Sequence, residues 1–288
     1  MTQEKRSKPG SVFDSSALLK SFKGGDGAPA PVAVGPTLVP AHRGELSSTD
    51  IPRMTETEWL PPQPTEAALA AVLSGETMAS EEFRLLLAKI RILGEEQPFR
   101  CIGIVSSVAG EGKTTVALGL AGALARQPGR RVLLIEADLR RPAVERYLGV
   151  PQAPGVGEWL EGNDEPLALR RIVPPGFALL SAGQARLERP DLLGSRRMAG
   201  LLEGARRNFN AVVIDCPPIA PVADSVLLQD MVDGFLFVVR GGQSPRESIL
   251  RGVSRLRPGR IRGVVFNDQK ELLHRYASYG YRHYGAAR

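Results

Sequence analysis

Residues 106–115 read SSVAGEGKTT and lie between an apolar run, CIGIVS, and a helix-like stretch, TTVALGLAGALA. A phosphate-binding loop has the pattern Gly, four residues, then Gly-Lys-[Ser/Thr]. Gly112, Lys113 and Thr114 match it, and Ser107 stands where the first glycine is usual. The physical logic survives that change. Gly110 and Gly112 let backbone N–H groups turn inward around phosphate oxygens. A helix that starts at Gly112 adds the partial positive charge of its N-terminus. The Lys113 ammonium reaches terminal phosphates, and the Thr114 hydroxyl suits Mg²⁺. The chemistry of this stretch is nucleotide binding.

Phosphate-loop chemistry also needs carboxylates. AVVIDCPP places Asp215 at the end of an apolar run. If that run is a strand, Asp215 lies at the carboxyl edge of a sheet, where ligands bind, and can hold Mg²⁺ directly or through water. VLLIEADLRRP supplies a second acidic strand end. Glu136 and Asp138 are two residues apart and share a face while the strand continues. Arg140 and Arg141 follow. Acids and arginines beside a phosphate site suit metal binding, base action and neutralisation of transition-state charge.

The chain has five tyrosines, and Tyr276, Tyr279, Tyr281 and Tyr284 share the final stretch, YASYGYRHYGAAR. Gly280, Gly285 and the terminal position give these rings little to pack against. They read as binding handles or substrates rather than scaffolding.

Several elements must position these groups. CIGIVS, RVLLIEA, FALLSAG, AVVID, GFLFVVR and IRGVVFN read as strands. Between them, TTVALGLAGALA, SRRMAGLLEGARR, VADSVLLQD and PRESILRGVSRL read as helices. Apolar strands alternating with helices predict an α/β fold, a mostly parallel sheet with helices on both faces. Ahead of them, SEEFRLLLAKIRIL has helical spacing, with Ser80 as N-cap and Gly94 as stop. Residues 1–75 are rich in Pro, Gly and Ala without a sustained period and read as a disordered arm. SSALLKSF and TEAALAAVL are short helix candidates within it, and Trp59 is either a loosely packed aromatic or a docking point. The division expected is an arm over 1–75, a catalytic domain over 76–269 and a mobile tyrosine-rich tail over 270–288.

The bulk numbers are those of an ordinary globular chain, long enough for one sizeable domain plus extensions: 288 residues, 43% hydrophobic, 24% charged, with net charge +6 and pI about 9.6. No long basic block stands out, so nucleic acid is not an expected partner. Cys101 and Cys216 are the only cysteines, and neither their number nor their spacing suggests a disulfide framework or a zinc site. MTQEKRSKPG has no apolar core behind it, and the longest apolar runs are strand-sized, so the expected location is cytoplasmic.

GEGKTT, EADLRRP, IDCPP and YASYGYRHY, in that order, resemble the signatures of the bacterial tyrosine kinases (BY-kinases) that work with capsule and exopolysaccharide assembly. The likeness runs from about residue 79 to the end. It implies a P-loop fold and an enzyme that moves the γ-phosphoryl of ATP onto tyrosine, chiefly on its own tail or a neighbour's. By that resemblance Ala109, Gly110, Glu111, Gly112, Lys113, Thr114 and Thr115 hold the phosphates. Thr114, Asp138 and Asp215 surround Mg²⁺, Arg140 lies near the transferred group, and Asn267 faces the adenine. Lys113, Asp138, Arg140 and Asp215 are then the catalytic set, and the four tail tyrosines the autophosphorylation sites.

The resemblance also implies partners: a separate transmembrane polysaccharide co-polymerase that activates the kinase at the inner face of the membrane, a tyrosine phosphatase, and further copies of the chain. Two departures stand out. The first acid of the second Walker motif is usually Asp and is Glu136 here. A methylene shifts a carboxylate by about 1.5 Å, and misplacement on that scale costs about 100-fold in rate. In the first helix, Glu81 and Arg84 fit the family's association pattern, but Leu87 replaces its second arginine. Two other readings stay open: a degenerate ATP-binding regulator of polysaccharide assembly, and a partitioning or division-site switch ATPase. The latter usually carries a lysine where this chain has Val108.

Overall fold

A computed structural model of the chain describes residues 46–47, 50–97, 99–184, 190–220 and 224–268, which belong to one unit. In chain order its elements are β1 (Met54–Leu60), α1 (Ala67–Ser74), α2 (Met78–Glu96), β2 (Cys101–Ser106), α3 (Lys113–Ala125), β3 (Val132–Glu136), α4 (Val144–Leu148), α5 (Val156–Leu160), β4 (Leu167–Ile172) and β5 (Phe177–Leu180). Then come α6 (Arg196–Asn208), β6 (Ala211–Asp215), α7 (Asp224–Leu227), β7 (Gly234–Arg240), α8 (Arg246–Ser254) and β8 (Ile261–Asn267).

The strands form one eight-stranded sheet in the order β1-β4-β5-β3-β6-β2-β7-β8. Every neighbouring pair is parallel except β4 with β5. The apolar runs of β2, β3 and β6 are buried along their whole length. Alternate residues point to opposite faces. Ile102, Ile104, Leu134 and Val213 join a core with Leu69 and Leu73 of α1, Leu87 of α2, Leu118 of α3 and Leu148 of α4. Val105, Ile135, Ile214 and Phe237 join the other core, with Trp159 of α5 and Met198 and Leu201 of α6. The expected α/β architecture is therefore observed.

α3 follows the phosphate loop into the interior, and its burial requires a close neighbour. Gly119 supplies the space: a Cβ there would stand 2.2 Å from the Phe83 ring of α2. α2 itself starts one turn before the expected cap. Thr77 is the N-cap and forms a reciprocal capping box with Ser80, which occupies the third helical position. The helix also runs through Gly94 to Glu96, since a lone glycine costs only about 1 kcal/mol.

Part of the arm expected over residues 1–75 is folded. Residues 1–45 lie outside the described residues, but β1 and α1 fall within the supposed arm and are part of the fold. β1 is an edge strand paired with β4, with Glu56 held by Arg171 at 3.4 Å. Its residues are mostly exposed, so the alternation that marks a half-buried strand is absent. Trp59 is 71% exposed, with the Arg171 guanidinium 5.7 Å from its ring centroid. α1 buries Leu69, Val72 and Leu73.

β4 was also missed, because Arg170 and Arg171 break its apolar run. Arg170 is nonetheless buried, where it is bound by Glu145, Ser181 and the Pro151 carbonyl. Among the described residues no helix is long and apolar enough to cross a membrane. The tail over 270–288, with its four tyrosines, and the helix candidate SSALLKSF lie outside the described residues.

Candidate active site

Strands β3, β6 and β2 are adjacent and parallel, so their carboxyl ends open on the same edge. β2 delivers the phosphate loop, β6 delivers Asp215, and the turn after β3 delivers Asp138. This is the edge at which open α/β sheets bind ligands.

Gly110 and Gly112 have φ of 84° and 92°, in the left-handed region that favours glycine. Gly112 is constrained twice, because a Cβ there would sit 1.9 Å from Nδ2 of Asn267. Lys113 opens α3 and is buried, with Nζ 3.9 Å from Oδ2 of Asp138. The Thr114 hydroxyl donates to Oδ2 of Asp215 at 2.7 Å. The structure thus brings Lys113 beside Asp138 and Thr114 beside Asp215.

Burial shapes its acid–base chemistry. Desolvation pushes the Asp215 carboxyl up to about 6, against the lowering effects of Lys113 and the Thr114 hydroxyl. Asp138 is also raised by desolvation, with Lys113 the main opposing influence. A carboxylate held above its ordinary range near an ammonium is a suitable proton acceptor at neutral pH.

The residues also fit a divalent cation. Oδ1 of Asp215 is buried and has no hydrogen-bond partner among the described residues, a state that a cation or its bound water would relieve. The donor set of hydroxyl and carboxylate oxygens suits Mg²⁺, which keeps several waters and takes substrate phosphate oxygens as ligands. No cluster of three His, Cys, Asp or Glu occurs among the described residues, so a cation here would depend on the phosphates to complete its shell.

Other expected residues take different positions. Glu136, which pairs with Asp215 across β3 and β6, is taken up by backbone donors. Its carboxylate accepts the backbone N–H groups of Ala143, of Val144 at 2.8 Å and of Ala182 at 3.3 Å, so it anchors the start of α4 and the segment after β5. The chain leaves the strand after Glu136, and the two-residue periodicity used to place both acids together ends there. Burial nevertheless pushes Glu136 up to about 7.

Arg140 pairs with Asp224 of α7 at 2.7 Å and lies near enough to Asp138 to feel its charge. Asn267 ends β8 against the loop, donating from Nδ2 to the Glu111 carbonyl at 3.1 Å. Arg240 spans the same region, 3.3 Å from the Gly110 carbonyl and 2.8 Å from Oδ2 of Asp268. Arg240, Asp224 and Ser244 escaped sequence reading. Each sits after or before an apolar run with no motif of its own, and only strand order brings them to the loop.

The comparisons with known proteins agree with this geometry. The CobQ/CobB/MinD/ParA nucleotide binding domain family matches residues 102–271. Tyrosine-protein kinase YwqD of Bacillus subtilis is 28% identical over 73% of this chain and 89% of its own. Succinoglycan biosynthesis transport protein ExoP of Rhizobium meliloti is 35% identical over 60% of this chain but only 23% of ExoP. The chain likewise spans about a quarter of several other curated relatives. Among solved structures, the kinase domain of Escherichia coli tyrosine kinase ETK superposes with a TM-score of 0.65 and 26% identity, covering 74% of this chain and 90% of that one. The chain belongs to the CobQ/CobB/MinD/ParA nucleotide-binding family, and within it to the bacterial tyrosine kinases.

Proposed function

We propose that the chain is an ATP-dependent protein tyrosine autokinase that regulates exopolysaccharide or capsule polymerisation and export. One observation carries the autokinase reading. β8 ends beside the phosphate loop, where Asn267 donates to the Glu111 carbonyl and the next residue, Asp268, pairs with Arg240, and the residues that follow, 269–288, contain four of the five tyrosines. The last described residue before the proposed substrate segment, Asp268, therefore lies at that edge of the sheet.

In this reading the loop N–H groups and Lys113 hold the β- and γ-phosphates of ATP. Thr114, Asp138 and Asp215 would hold Mg²⁺, which supplies charge neutralisation on the phosphates. A tail tyrosine hydroxyl, from the same or another copy, attacks the γ-phosphorus. Its proton passes to Asp138, the new O–P bond forms, and the bond to the β-phosphate oxygen breaks to release ADP. Arg140 is close to Asp138 and adds positive charge as the phosphoryl group moves, and Asn267, in the same reading, faces the adenine. Tyr276, Tyr279, Tyr281 and Tyr284 are the acceptors. Each phosphate adds about −1.5 to −2 charges, so successive additions repel one another and loosen assembly with neighbouring copies.

The name of ExoP, a succinoglycan biosynthesis transport protein, supports a place in polysaccharide assembly, and the name of YwqD, a tyrosine-protein kinase, supports the kinase reading. The proposed partners are a membrane-embedded co-polymerase that supplies an activating segment at the inner face of the membrane, a tyrosine phosphatase, and further copies of this chain.

The test is to incubate the purified chain with Mg-ATP, with and without a candidate activator segment, and to map phosphotyrosine by mass spectrometry. Phosphate on the tail that Lys113→Met abolishes supports the autokinase. Nucleotide binding without phosphotyrosine, even beside a working activator, points instead to a regulator without transfer activity. Hydrolysis stimulated by DNA or lipid points to a switch ATPase.

A further inference from the structure

The loop that carries Lys113 has a buried carboxylate at its centre. Glu111 lies between Gly110 and Gly112 and is only 3% exposed. A charge is taken out of water only where partners replace its hydration. Here the Ser107 hydroxyl lies 3.0 Å from both carboxylate oxygens, the Val108 N–H donates at 2.9 Å, and the Ser244 hydroxyl donates to Oε1. Ser244 also accepts the Arg240 N–H at 2.9 Å. Ser244 sits in the turn between β7 and α8, so the carboxylate fastens the phosphate loop to the exit of the neighbouring strand. α8 leaves room for this arrangement at Gly252, where a Cβ would lie 3.3 Å from Cβ of Ser107.

A phosphate loop that orders only when its anion arrives loses affinity by the fraction of time it spends in the competent shape. A carboxylate that gathers donors from both sides of the loop removes that loss beforehand. We propose that Glu111 is a positioning residue: its carboxylate, held by Ser107, Val108 and Ser244, preassembles the phosphate loop before nucleotide binds. The proposal rests on the nucleotide reading of this loop. It also accounts for Ser107, because a glycine at that position would remove one donor from the carboxylate.

The experiment uses the full chain and two readouts: hydrogen exchange of the 106–115 peptide without nucleotide, and calorimetric binding of a non-hydrolysable ATP analogue with Mg²⁺. In wild type the loop amides are protected without nucleotide. Glu111→Ala exchanges about tenfold faster, regains protection with saturating analogue, and binds it about tenfold more weakly, as expected if the competent fraction of the loop falls from about nine-tenths to about one-tenth. Glu111→Gln keeps one acceptor oxygen and falls between. Ser107→Gly, although it restores the usual glycine, weakens binding. In turnover, KM for ATP rises more than kcat falls.

Equal exchange in wild type and Glu111→Ala, or unchanged affinity, overturns the proposal, and so does a Ser107→Gly variant that binds better. If Glu111→Ala does not fold, Ser107→Gly and Ser244→Ala carry the same expectations. A wild-type chain that does not bind the analogue overturns the nucleotide reading, while the exchange data still decide the role of Glu111.

Discussion

The Thr114 hydroxyl donates to one oxygen of Asp215 at 2.7 Å, and the other oxygen of that carboxylate is buried without a hydrogen-bond partner among the described residues. The pair joins the first turn of α3 to the end of β6, and its unsatisfied oxygen is what a cation would use. Asp215→Asn keeps the shape and the hydrogen bond to Thr114 but removes the charge. The expected outcome is nucleotide binding that no longer strengthens with Mg²⁺, and tail phosphorylation reduced by about 100-fold. Calorimetry with and without Mg²⁺ checks the first part and quantitative phosphotyrosine mapping the second. Retention of both would remove Asp215 from the metal site.

The same carboxylate gives a pH dependence whose sign is fixed. Asp215 is raised to about 6 and Glu136 to about 7, both chiefly by burial. Unfolded carboxylates titrate near 4, so between pH about 4 and 7 the folded chain holds more protons than the unfolded one. Stability from these groups is complete below about pH 4 and declines as pH rises through 6 to 7. Tm in EDTA should therefore drop less between pH 5 and 7.5 for Asp215→Asn than for wild type. With Mg²⁺ and nucleotide the ionised form gains a partner, and the wild-type slope should flatten or reverse. Thermal scans across that range decide the matter, and parallel profiles for the two proteins in EDTA would refute it.

Glu136 separates a family pattern from this chain's own packing. The usual residue there is Asp, and sequence reading took Glu136 as the weak point of the catalytic site. The structure gives its carboxylate three backbone N–H partners instead. Glu136→Asp retracts the carboxylate by about 1.5 Å and leaves buried donors unpaired, at about 1–3 kcal/mol each. The family-like residue should lower Tm by about 5–10 °C without raising the rate of tail phosphorylation. A faster enzyme with unchanged Tm would instead show that the length of the side chain at 136 limits catalysis.

The catalytic edge was legible because its residues terminate apolar runs. Asp215 and Asn267 are placed by strands whose continuous apolar sequence has no other use, and Lys113 and Thr114 by a loop with its own signature. Asp138 lies just past the end of β3, where the period of two that suggested its position no longer applies, and it meets Lys113 through the turn instead. What stayed hidden depends on tertiary neighbours. β1 is nearly all exposed and owes its strand to pairing with β4. Arg170 is buried because Glu145 and Ser181 come to it from other elements. The inward turn of Glu111 requires Ser244, 133 residues away, and no local pattern announces it.

Leu87 offers a final test, at the position where the family pattern has arginine. In this chain it is 9% exposed and shares a core with Leu69 and Leu73 of α1 and Ile90 of its own helix. The neighbouring Glu81 and Arg84 pair with each other, and Arg84 also reaches the Gly75 carbonyl at 2.6 Å. α2 thus uses Leu87 to fasten α1 to the sheet rather than to present a second charge. Leu87→Arg removes an aliphatic side chain from the core and asks a guanidinium to leave it, at a cost of about 2–4 kcal/mol. The variant should melt about 5–10 °C lower and sediment no more associated than wild type at the same concentration. Sedimentation velocity and thermal scans on the two proteins measure both. A variant of unchanged Tm that assembles into larger species would show that this face is an association surface after all, and that Leu87 had weakened it.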